Sequence, residues 1–168
     1  IEEREVYRPQ HRTDAIMLVH GDTWPFEGSF NAAVGSGVVP NEQALPVFLA
    51  SNDVDAWGID LRWTRVPLNV ADPNAVMENW DFQTDIDDLG IALEFMRRIR
   101  AVTGSGHNKV ALLGWSRGGM LGYAYLGQES TKPYGQRNVS NFVVADVYVK
   151  TNDETARAYA CASVPGLR

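Results

Sequence analysis

Three runs of consecutive apolar residues stand out along this chain: Ala15-Ile16-Met17-Leu18-Val19, Val110-Ala111-Leu112-Leu113 and Phe142-Val143-Val144-Ala145. Each is short and bounded by polar or turn-forming residues, which predicts strands, and Val110 to Leu113 has the pattern of a strand covered on both faces. Val54 to Trp63 reads as a further strand and its exit, and Glu5-Val6-Tyr7 as a candidate edge strand. Helical periodicity is clearest over Asp85 to Val102, where Ile86, Leu89, Leu93, Met96 and Ile99 form one stripe. Thr84 or Asp85 can cap that helix, and Arg97, Arg98 and Arg100 near its end match the helix dipole. Gly104-Ser105-Gly106 stops it. Glu42 to Ser51 is expected to be helical with Leu45, Phe48 and Leu49 on one face, despite Pro46 near its start. Asp72-Pro73-Asn74 and Lys132-Pro133-Tyr134-Gly135 read as turns, and 151–168 gives no firm element.

Strands alternate with helices at spacings that suit right-handed crossovers. The fold class is therefore α/β, a mostly parallel sheet with helices on both faces. Ligands of such sheets bind at the strands' carboxyl ends. Two segments with chemical content fall there: His20-Gly21-Asp22-Thr23-Trp24 after the first apolar run, and Gly114-Trp115-Ser116-Arg117-Gly118-Gly119 after the central one. The second fits G-x-S-x-G, the nucleophile elbow. A serine on a sharp strand-to-helix turn sits in a strained backbone conformation, and side chains in place of the glycines would collide with the strand and helix beside it. Past the turn, Met120, Leu121, Ala124 and Tyr125 recur at helical spacing, so a helix N-terminus faces Ser116. The bland alternative is a glycine-rich turn with an ordinary serine.

Bulk properties narrow the function only a little. The chain has 168 residues, enough for one sizeable core, and its net charge of −6 argues against nucleic acid as a partner. No apolar run approaches the roughly 18 residues of a membrane span. Cys161 is the single cysteine and cannot form an internal disulfide, and no metal-type Cys/His spacing occurs. No metal or cofactor is expected. The clustered Asp81, Asp85, Asp87 and Asp88 are explained by a capped, solvated helix start more simply than by a metal site. Asn138-Val139-Ser140 is a glycosylation sequon, a triplet that also arises by chance. The first residue is Ile1, not methionine, with no leader pattern, and the chain stops at Arg168 in a stretch with no closing element, so both ends are expected to be cut.

Taken together, Val19-His20-Gly21, Gly58-Ile59-Asp60-Leu61-Arg62 and the elbow segment resemble the α/β-hydrolase superfamily of serine esterases and lipases, over about residues 5 to 150. The resemblance implies a hydrolase core over 1–150, with 151–168 unassigned or the start of a cap. It also implies that Ser116 attacks an acyl carbonyl of a small-molecule ester. The oxyanion hole would use the backbone N–H of Arg117 and one from Asp22, with Thr23 the second choice. Trp24 and Trp115, with Phe26 and Trp63, could line an acyl pocket, although core packing explains each equally well. Asp146 matches the position where some family lipases carry the catalytic acid; more often that position is structural. His20 is expected to hold the oxyanion loop by packing and hydrogen bonding, His107 to lie on the surface, and His11 to have no role. The family order is Ser, acid, His, yet no histidine follows Ser116. The base is therefore expected outside this chain, in a missing remainder or a companion chain. A non-catalytic binding protein of the same fold is the alternative, and an acyltransferase or perhydrolase would use the same serine.

Overall fold

The computed structural model describes residues 12–147 and 152–163, with no side-chain description for 159–163. Glu5-Val6-Tyr7, His11 and the Cys161 side chain lie outside the described residues. Among the described residues four strands form one sheet: β1 (Ala15–Val19), β2 (Asp55–Ile59), β3 (Val110–Trp115) and β4 (Val139–Ala145). Their order across the sheet is β2-β1-β3-β4, and every neighbouring pair is parallel. An all-parallel sheet requires crossovers, and the helices supply them: α1 (Phe26–Phe30), α2 (Leu45–Ser51), α3 (Pro73–Met77), α4 (Phe82–Val102) and α5 (Arg117–Ser130). A last helix, α6 (Glu154–Ser163), occupies the stretch that the sequence left without an element.

Alternation along the strands divides the core in two. Ala15, Met17, Val19, Val110 and Leu112 face α4 and α5, where Leu89, Leu93, Met96 and Leu121 are fully buried against them. Ile16, Leu18, Leu113 and Trp115 face the opposite side, under α1 and α2. β1 is buried on both faces, as its composition requires. β3 is fully buried only on the α4/α5 side, because α1 and α2 cover the β1/β2 half of the sheet. On β4, Asn141 and Val143 share that less covered side and are exposed.

Several boundaries differ from expectation for local reasons. The expected Glu42–Ser51 helix is two pieces, a 3₁₀ turn over Asn41–Gln43 and then α2, separated by extended Ala44. Pro46 sits in the first turn of α2, where a missing N–H costs nothing. Leu45 and Leu49 pack inward, but Phe48 faces out. Asp72-Pro73-Asn74 opens α3, since the Asp72 carboxylate accepts from the N–H groups of Asn74 and Ala75. For α4 the cap is Asp81, not Thr84 or Asp85. Its carboxylate accepts from Thr84 N at 2.8 Å, and Thr84 Oγ1 accepts from Asp81 N in return, a reciprocal capping box. Arg97 and Arg100, whose place near the helix end matches the dipole, are buried. Arg100 donates to Asp55 and to the carbonyls of Arg12 and Thr13, which ties the end of α4 to the amino ends of β1 and β2.

Candidate active site

Ser116 occupies the turn between β3 and α5 with φ 52° and ψ −119°. A non-glycine residue at such angles costs on the order of 1–3 kcal/mol and persists only where its surroundings enforce it. The surroundings here are backbone. A Cβ on Gly118 would lie 2.3 Å from the Val19 carbonyl oxygen, and one on Gly114 would lie 2.3 Å from the Gly118 oxygen. The elbow is therefore wedged between β1 and its own helix. Ser116 N donates to Ala145 O at 2.9 Å, which fixes the turn to the end of β4 as well. The Ser116 hydroxyl does not cap α5 and stays free for other chemistry.

The loop after β1 closes on this turn. A Cβ on Gly21 would stand 2.9 Å from Ser116 Cβ, so the His-Gly segment and the serine are in direct apposition. His20 anchors the loop from below. It is fully buried, its Nδ1 lies 2.7 Å from the Gly21 carbonyl, and its Nε2 accepts from Leu61 N at 3.1 Å. Both ring nitrogens are thus committed to backbone, which selects the Nδ1–H tautomer and removes His20 as a base for Ser116. Asp60, at the end of β2, holds the far side of the loop by accepting from Phe26 N at 2.7 Å. Thr23 in this loop, Ser116 and Asp146 all have positive φ, at 81°, 52° and 53°. Among the described non-glycine residues with positive φ, these three follow β1, β3 and β4, and the fourth, Asp53 at 61°, precedes β2. Only Ser116 was legible as such from a motif.

Arg117 is the first residue of α5, so its N–H has no carbonyl four residues back within the helix. Its side chain has a second engagement that no sequence motif signals. Nη2 donates to the buried Asp85 carboxylate at 2.6 Å, Nε lies 3.7 Å from Asp22 Oδ1, and the guanidinium sits 5.5 Å from the Phe82 ring centroid. Asp85 is therefore not part of a solvated helix start; it is a buried partner of the elbow. Of the other acids in that cluster, Asp81 is the cap and Asp88 takes two hydrogen bonds from Arg62.

A cleft of about 430 Å³ opens beside Asp22 and Arg117 and is lined further by Thr23, Trp63, Met77, Trp80, Asp81 and Asp85. Trp24 and Trp115, expected in the pocket, do not line it. They stack on each other, with ring centroids 6.4 Å apart, and Trp115 points to the α1/α2 side because strand alternation puts it opposite Gly114. Trp63, Met77 and Trp80 form the apolar wall instead. Asp146 is exposed at the end of β4. His107 is exposed near the amino end of β3 and contacts Arg97. Among the described residues no histidine is placed to serve Ser116, no group of His, Cys, Asp and Glu is arranged to hold a metal ion, and no helix is long and apolar enough to cross a membrane. The sequon residue Asn138 is buried, with its amide bonded to Arg97 and Tyr125.

No protein-family model, curated protein or solved structure matches this chain.

Proposed function

We propose that these residues carry the nucleophile and oxyanion loop of a serine hydrolase of the α/β-hydrolase type, acting on a small carboxylic ester through an acyl-enzyme. The observation that carries this is the strained Ser116, at φ 52° between glycines that admit no side chain, with Gly21 of the neighbouring loop against it. In this reading Ser116 Oγ attacks the ester carbonyl, and the N–H groups of Arg117 and Asp22 receive the oxygen that becomes negative. Each such donor typically contributes about 2.7–4 kcal/mol of transition-state stabilisation. The cleft walled by Trp63, Met77 and Trp80 takes the apolar part of the ester. A general base must remove the Ser116 proton and return it to the leaving alcohol. Among the described residues His20 is committed to backbone and His107 lies at the other end of β3, so the base is assigned to polypeptide outside the described residues. Asp146, at the end of β4, remains the candidate acid.

The same commitment of His20 supports a second reading, a binding protein on this fold that has no triad. A fluorophosphonate probe separates the two. A hydrolase forms an adduct on Ser116 that Ser116→Ala abolishes, whereas a binding protein forms none.

A further inference from the structure

We infer that Asp85 is a positioning residue for the oxyanion loop, acting through the Arg117 side chain; this deepens the proposed hydrolase function and rests on it. Three separate elements meet at one guanidinium. Arg117 begins α5 directly after Ser116, Asp85 lies in the first turn of α4, and Asp22 follows Gly21 in the loop after β1. The link to α4 is short, 2.6 Å between Arg117 Nη2 and a carboxylate whose side chain is 8% exposed. On the loop side the link is longer, 3.7 Å from Nε to Asp22 Oδ1, and Nε has no hydrogen-bond partner although it is buried.

These distances define an anchored brace. Asp85 fixes the guanidinium in position and Phe82 supports its face, so the charge that Asp22 meets has one place and one orientation. The two backbone groups assigned to the oxyanion hole belong to the same two residues, Arg117 and Asp22. Holding their side chains together restricts the separation of their N–H groups. Asp85 touches no reacting atom, and its effect passes through Arg117. A solvated N-terminal acid would have no such effect.

Two readouts on the native protein test this. Asp85→Asn keeps the size of the side chain and removes its charge. Hydrogen exchange in the peptide spanning residues 20–26 is expected to quicken while exchange in the middle of α4 and α5 stays unchanged. The rate of Ser116 acylation by a fluorophosphonate is expected to fall roughly ten- to hundredfold, the scale of a small misplacement at a reacting centre. Asp22→Asn, at a largely exposed side chain, is the second variant, and a smaller change in the same direction is expected. Unchanged loop exchange in both variants overturns the brace, as does quickening spread evenly over both helices, which marks a merely structural carboxylate. Wild-type protein that fails to label overturns the hydrolase reading instead; loop exchange alone then decides whether Asp85 positions the loop.

Discussion

Backbone oxygens, not side chains, decide what the elbow tolerates. Gly118 lies in the first turn of α5, where alanine would by propensity be favoured by roughly 1 kcal/mol. Its Cβ would meet Val19 O at 2.3 Å and His20 O at 2.7 Å, neither of which can rotate away. The clash outweighs the propensity, and Gly118→Ala is expected to lose about 2–3 kcal/mol in urea unfolding. Ser116 offers the opposite case. Ser116→Gly removes the strain of positive φ at the expense of unfolded-state entropy, and is expected to be about 1 kcal/mol more stable than Ser116→Ala. Equal stability of the two variants would contradict the strain. At this scale the sequence was informative where local chemistry repeats a pattern. The spacing of Gly114, Ser116 and Gly118 and the His-Gly pair marked the turn and its loop. Arg117 and Asp85 stand 32 positions apart, and an acid in a helix's first turn looks the same whether it is solvated or bonded to a distant guanidinium.

Among the elements, α4 carries the most information beyond its apolar stripe. Its cap is pH-sensitive in a definite direction. The Thr84 backbone N–H, and then the Thr84 hydroxyl, hold the Asp81 carboxyl below its ordinary value near 3.8. A depressed folded-state value gives a contribution that is present above the ordinary value and lost as pH falls through the lowered one. Wild-type protein is therefore expected to lose this part of its stability below about pH 4. Asp81→Asn, itself a good cap, should show a flatter acid limb in unfolding curves taken from pH 5 to pH 2. At the other end, Arg100 is almost completely buried and bonded to Asp55 and two carbonyls. Arg100→Ala is expected to cost about 3 kcal/mol in thermal unfolding, and Arg100→Lys to recover little of it, because an ammonium cannot reproduce the fork. The stripe of Ile86, Leu89, Leu93 and Met96 was legible because burial repeats with the helix period, although Ile99, expected to continue it, is only partly buried. The burial of Arg97 and Arg100 was not, since a basic residue towards the carboxyl end of a helix suits the dipole whether it points outward or inward.

At the scale of the whole molecule, the parallel order β2-β1-β3-β4 brings the ends of β1, β3 and β4 to one rim. There the His-Gly loop, Ser116 and Asp146 converge, and the helices that cover the α4/α5 face supply Asp85 and the cleft. The α/β class and the parallel sheet followed from apolar runs separated by helices. The side of the rim on which the cleft opens did not, because it depends on which way Trp115 alternates and on α3, whose opening residues looked like a turn. Whether Ser116 is a nucleophile is read most directly by fluorophosphonate labelling of the native protein, with the adduct mapped by peptide mass. An adduct on Ser116, absent from Ser116→Ala, is the expected result. An unlabelled Ser116, under conditions in which a control serine esterase reacts to completion, would contradict it.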